Sequence, residues 1–256
     1  MGDARVLLVP GGASTVHGYF PQLEASLAGR ATVIEADPPG VGESADGRPL
    51  RLPEYAQALA RAVRERGAGE VVVVGHSLGG LIALQLAVDE PGLVSGLLLL
   101  DPTPLTPVRT LRSMAVSLRV LAALGPLSRR LWDVAARHDL RRVSLDAGQE
   151  QAFDVYTDSR FAAKTARWAR YLARDGTALA GAVRAGKVSA LRTVVVTAGE
   201  RGAKSSIRRA HEQLVAWIPG AELQVWEGTT HPLHIQRPDR VAEAVLALLE
   251  RQRETS

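Results

Sequence analysis

The sequence predicts an α/β fold in which a mostly parallel central sheet carries helices on both faces. A helical cap is inserted after the strand ending at Asp101. Three observations predict this. Short apolar runs without polar alternation recur along the chain, as strands buried on both faces require. Segments of helical spacing separate them. One long stretch, from Pro102 to about Gly186, contains helical patterns and no strand-like run.

The first run, Val6-Leu7-Leu8-Val9, ends at Pro10-Gly11-Gly12 and reads as a buried strand entering a loop. Five further runs follow: Thr32 to Ala36, Val71 to Val74, Leu97 to Leu100, Thr193 to Thr197 and Leu223 to Trp226. Between them, Leu52, Tyr55, Ala56, Leu59, Ala60 and Val63 share one face of a helix running to about Arg66. Leu81, Leu84, Gln85 and Val88 mark a helix after Gly79-Gly80. Pro238-Asp239 starts a last helix carrying Val241, Ala244, Val245 and Leu248. In the strandless stretch, Val108, Leu111, Ala115, Leu118 and Ala122 recur at helical spacing. Proline and glycine punctuate its two ends. The expected division is therefore a core of residues 1–101 and 188–256, with residues 102–187 as the cap.

Composition narrows the function. The chain has 256 residues, 46% hydrophobic and 23% charged, which suits one globular domain with an insert. No apolar run is long enough to span a bilayer, and strand-like sequence begins too early for a signal peptide, so a cytoplasmic protein is expected without a membrane partner. There is no cysteine, which excludes disulfides, thiolate metal sites and a cysteine nucleophile. No histidine spacing suits a metal, and Gly40-Val41-Gly42 is too short for a dinucleotide fingerprint. No cofactor is expected. Between Pro102 and Ala190 there are 15 Lys/Arg against 7 Asp/Glu, while the overall net charge is only +4. Such a basic segment suits an anionic substrate or simply a solvated face. No nucleic-acid motif accompanies it.

The strongest local signal is Gly75-His76-Ser77-Leu78-Gly79, placed between an all-valine strand and a helix. This is G-x-S-x-G in its strand–turn–helix setting, with Ser77 as candidate nucleophile. The turn is tight enough to demand small residues two before and two after the serine. It also places the serine at a helix start, where unpaired N–H groups favour developing negative charge.

With three further motifs, the chain resembles the α/β-hydrolase family along essentially its whole length. Asp37-Pro38-Pro39-Gly40-Val41-Gly42-Glu43-Ser44 is similar to the family's D-x-x-G-x-G-x-S loop. Pro10-Gly11-Gly12-Ala13-Ser14 occupies the place of its oxyanion loop, and His231 to Pro238 resembles its closing histidine pattern. The resemblance implies His231 as general base, with His76 and His234 in other roles. It implies an oxyanion hole from the backbone N–H groups of Gly12 and Leu78, with Ala13 as the alternative to Gly12.

The triad acid is less direct. The family's usual position, after the strand that follows the cap, holds Gly202 here. Asp101, at the end of Leu97 to Leu100, matches the relocated acid of haloalkane dehalogenase-like and macrolactone hydrolase-like members. Glu200 is the alternative, and an acid-less site is the third. The reaction expected is hydrolysis of an ester, lactone or thioester. A lyase, a cyclase or a ligand receptor on the same scaffold is the alternative. Six of the eleven aromatic residues lie in the cap: Trp132, Phe153, Tyr156, Phe161, Trp168 and Tyr171. With His17, Tyr19 and Phe20 near the oxyanion loop, they suit a small apolar or ring-containing substrate, a carrier-bound thioester included.

Overall fold

Six strands form one parallel sheet in the computed structural model, which describes residues 4–12, 14–37, 51–67, 69–106, 108–124, 126–140, 144–157 and 161–253. They are β1 (Arg5–Val9), β2 (Thr32–Glu35), β3 (Val71–His76), β4 (Val94–Leu100), β5 (Arg192–Ala198) and β6 (Glu222–Trp226). Their spatial order is β2-β1-β3-β4-β5-β6, with every neighbouring pair parallel. All six strands fall on the apolar runs of the sequence.

Helices are α1 (Leu23–Leu27), α2 (Leu52–Glu65), α3 (Leu78–Asp89), α4 (Val108–Ala123), α5 (Pro126–Leu140), α6 (Ala147–Tyr156), α7 (Phe161–Arg184), α8 (Ser206–Trp217), α9 (Leu233–Gln236) and α10 (Pro238–Arg253). Because side chains alternate along a strand, each strand feeds two cores. Leu7, Val73, Leu97, Leu99 and Val195 pack with α2, α3 and α8 on one face. Leu8, Val72, Val74, Leu98 and Val196 pack with α1, α6 and α10 on the other. Both faces are dry, which is why the runs do not alternate with polar residues. The α3 helix is buried on nearly every side, so its sequence is apolar all round.

Four helices, α4 to α7, occupy the chain between β4 and β5. Leu111 of the inward-facing pattern on α4 is buried and Ala115 is half-buried. The Asp175 side chain on α7 is buried and accepts from Arg51 Nε and Nη2 at 3.1 and 2.6 Å. It also accepts from the backbone N–H of Leu52 at 3.1 Å, so α7 caps the first turn of α2. The nearby charge of Asp175, through its hydrogen bond above all, holds the Arg51 guanidinium above its ordinary range. Of the Asp37 to Ser44 loop, Asp37 accepts from Val16 N–H at 2.8 Å. Residues 38–44 lie outside the described residues.

Asp175→Ala is expected to lower the urea midpoint of unfolding with an unchanged m-value, a loss of stability of at least the roughly 1 kcal/mol of a helix-cap acceptor. An unchanged midpoint would show that α7 does not cap α2 in solution.

Candidate active site

The carboxyl ends of β1, β3, β4, β5 and β6 converge at one edge of the sheet, where parallel α/β folds place their ligands. Ser77 follows β3 and adopts φ 53°, ψ −116°, a conformation that costs a non-glycine residue about 1–3 kcal/mol. Three backbone bonds hold it there. Ser77 N–H donates to Leu100 O at 3.0 Å, while Thr103 N–H and Gly80 N–H donate to Ser77 O at 2.9 and 3.1 Å. A Cβ on Gly79 would stand 2.2 Å from Val9 O, and one on Gly75 would stand 2.5 Å from Gly79 O. The motif's glycines are therefore what lets β1, the elbow and α3 approach one another.

Asp101 is the residue after β4, also at positive φ (40°), and is 1% exposed. Its Oδ1 accepts from Ala198 N–H at 3.2 Å and its backbone N–H donates to Val196 O at 2.8 Å, so β5 fixes it twice. Its Oδ2 lies 2.5 Å from His231 Nδ1. The other ring nitrogen, Nε2, lies 3.0 Å from Ser77 Oγ. These contacts select one tautomer: Nδ1–H donates to the carboxylate, leaving Nε2 to accept the serine hydroxyl. Ser77, His231 and Asp101 thus form one continuous hydrogen-bonded chain.

The loop carrying His231 is pinned from both sides. Thr229 Oγ1–H donates to Trp226 O at 2.6 Å, and Glu200 N–H donates to Thr229 O at 3.1 Å. Thr230 N–H donates to Gln236 Oε1 at 2.8 Å, and Gln149 Nε2–H of α6 donates to Ile235 O at 2.7 Å. Glu200 itself is exposed in a 3₁₀ turn, Gly199–Arg201. Gly12 has φ 60°, and Leu78 opens α3, where first-turn N–H groups lack intrahelical acceptors. Ala13 lies outside the described residues.

Two histidines reach this centre without having been assigned to it by the motif. His76, expected to have another role, is fully buried at the end of β3, directly beneath the His231 loop. Its Nε2–H donates to His231 O at 2.9 Å. Nδ1 therefore accepts, and Tyr19 O–H supplies that bond at 2.7 Å. Burial, and secondarily Tyr156, pushes the Tyr19 phenol well above its ordinary value, so it stays a donor. His211 on α8 is equally buried; its Nε2–H donates to Pro102 O at 2.7 Å and its Nδ1 stands 4.0 Å from Asp101 Oδ1. No sequence pattern flagged His211, a lone histidine on α8 with Arg209 and Glu212 close beside it in sequence.

His234 is also buried and stacks on Tyr19, with ring centroids 4.6 Å apart and an interplanar angle of 10°. Burial first, then His76 and His231, push its pKa well below the ordinary 6.5. Of the aromatics expected at a pocket, Tyr19 and Phe20 are instead packed in the core with Phe153 and Tyr156. His17 is exposed and pairs with Glu35 at 3.3 Å. Tyr171 is half-buried; the side chains of Trp132, Phe161 and Trp168 lie outside the described residues.

A model of the alpha/beta hydrolase family matches residues 6–244. Among curated proteins, lipase LipV of Mycobacterium tuberculosis is 39% identical over 101 residues, which is 40% of this chain and 38% of that protein. The chain spans less than half the length of the curated relatives it matches. Among solved structures, MenH from S. aureus superposes with a TM-score of 0.76 at 18% identity, covering 99% of this chain and 96% of that one. A thermophilic esterase from Thermogutta terrifontis gives a TM-score of 0.71 at 22% identity, covering 98% and 92%.

The neutral burial of His234 sets a pH dependence of stability. Its folded pKa lies below its unfolded one, so the unfolded chain binds the extra proton first as pH falls below about 6.5. Stability should therefore decline from about pH 7 toward pH 5, with a limiting contribution from this residue of about 1.4 kcal/mol per pH unit. His234→Phe should show a shallower decline in urea unfolding; an unchanged slope would mean that His234 is protonated in the folded state.

Proposed function

The chain belongs to the α/β-hydrolase family, and we propose that it is a serine hydrolase that cleaves an ester, lactone or thioester through an acyl-enzyme, without a cofactor. The observation that carries this reading is the unbroken chain from Ser77 Oγ to His231 Nε2 (3.0 Å) and from His231 Nδ1 to Asp101 Oδ2 (2.5 Å). A serine hydroxyl is a weak nucleophile at neutral pH, and this arrangement supplies the base that activates it.

In the proposed cycle His231 Nε2 takes the Ser77 proton as Oγ attacks the substrate carbonyl. The backbone N–H groups of Gly12 and Leu78 hold the developing oxyanion, where preorganised donors act most strongly. The imidazolium then returns the proton to the leaving group, and Asp101 stabilises the charged ring without being protonated. Water repeats the sequence on the acyl-enzyme and frees Ser77. Asp101 thereby serves as the acid of the triad, and Glu200 does not. The LipV match, and the esterase among the structural neighbours, support ester chemistry of this kind.

Residues 102–187 act in this reading as a cap. The placement of α4 to α7 between β4 and β5 supports that role, as does the Gln149 bond from α6 to Ile235 O on α9, just after His231. The substrate is then a small molecule held between cap and sheet edge, apolar or ring-containing; a carrier-bound thioester falls within the same chemistry.

Turnover of a p-nitrophenyl ester tests the assignment. Ser77→Ala is expected to lower kcat by about 10⁶-fold and Asp101→Asn by about 10⁴-fold, with the circular dichroism spectrum unchanged. Glu200→Gln should retain near-normal turnover. Full activity in Asp101→Asn, or collapse in Glu200→Gln, would overturn the acid assignment, and full activity in Ser77→Ala would overturn the mechanism.

A further inference from the structure

Among the described residues, the exposed large hydrophobic side chains are gathered in one place. Val116, Val120, Leu124, Leu127, Leu131 and Val134 are between 42% and 67% exposed, and all six lie on α4 and α5 or at the turn between them. Single exposed aliphatics are ordinary; six on two successive helices are not. Their arrangement follows helical geometry. Counting about 100° per residue from buried Leu111, the α4 residues lie about 140–220° round the helix. Counting from buried Ala136, the three on α5 lie about 160–220° round. On both helices the apolar row is thus diametrically opposite the face packed on the protein, and it forms a ridge toward solvent.

Charge says what the ridge meets. Arg112, Arg119 and Arg130 are exposed along one edge of the row, about 80–120° from the buried face, and exposed Arg109 lies within it at about 160°. The α4 helix contains no acidic residue at all. A symmetric dimer through this patch would press the same arginines against each other, because a two-fold interface pairs a surface with itself. An outward apolar row edged with arginines is instead the pattern of helices that lie in the plane of an anionic bilayer interface. We propose that the α4–α5 surface docks the protein on anionic lipid. None of the described helices is long and apolar enough to cross a membrane, so the docking is peripheral. The expectation of no membrane partner rested on the lack of a spanning run, which leaves a surface-lying helix pair open. The proposal does not depend on the hydrolase reading, since it concerns the outward face of α4 and α5 and not the chain of Ser77, His231 and Asp101.

Co-sedimentation with phosphatidylglycerol vesicles and with phosphatidylcholine vesicles tests it. The full-length protein should sediment with phosphatidylglycerol, release as salt is raised, and ignore phosphatidylcholine. Two variants separate the contributions: Val120→Ser with Leu127→Ser and Leu131→Ser, and Arg112→Gln with Arg119→Gln and Arg130→Gln. Each should lose at least about tenfold in partition coefficient while its circular dichroism spectrum and thermal unfolding stay as in wild type. No binding to phosphatidylglycerol overturns the proposal. So does full binding by the serine variant, which would leave charge alone responsible, as in docking to an acidic protein. Concentration-dependent dimerisation of wild type that the serine variant abolishes would assign the ridge to a second copy and overturn it as well.

Discussion

A carboxylate sealed from water must find donors in the protein, and Asp101 is such a group at the end of β4. It draws one from Ala198 N–H on β5 and another from His231 Nδ1–H on the loop after β6. The cost of leaving this charge unpaired is what holds two strand ends and one loop in register at the carboxyl edge. Removing a donor would leave a buried charge exposed to no compensating water. The strained backbone at Ser77 and at Asp101 itself is tolerated because these bonds over-determine it.

Around that pair the protein builds a second layer of polar contacts with no exposed member at its centre. Tyr19 donates to His76, and His76 donates to the carbonyl of His231. The loop before α1, the end of β3 and the loop after β6 are joined in this way below the reacting atoms. His211 approaches Asp101 from α8 on the opposite side of the sheet, where its other nitrogen is committed to Pro102 O. The His231 side chain is thus fixed through its main chain as well as through its ring. Such a buried network rigidifies the site only where its members are satisfied, as both ring nitrogens of His76 are.

Much of this architecture can be read in the amino-acid order. The runs Val71 to Val74 and Leu97 to Leu100 are apolar without alternation because both faces of the sheet are covered, and they became β3 and β4. Ser77, flanked by Gly75 and Gly79, was marked by a local steric demand that the atoms bear out. Asp101 and His231, by contrast, are 130 residues apart, and their 2.5 Å contact is a product of strand order. A motif could only propose it, with Glu200 as a rival. His76 was legible as part of the elbow but not as a support for His231, since that bond reaches across 155 positions to a backbone atom. The α8 helix escaped the hydrophobic pattern because its inward face includes His211 and its outward face is dominated by arginine and glutamate. The aromatics Phe153 and Tyr156 looked like pocket walls because composition cannot distinguish a side chain that packs on the sheet from one that lines a cavity.

The most direct test is the proton NMR signal of His231 Nδ1–H, which a short bond to a buried carboxylate should shift far downfield and protect from exchange. That signal is expected in wild type and in Glu200→Gln, and its loss is expected in Asp101→Asn. Its persistence in Asp101→Asn, or its disappearance in Glu200→Gln, would contradict the pairing on which the site is built.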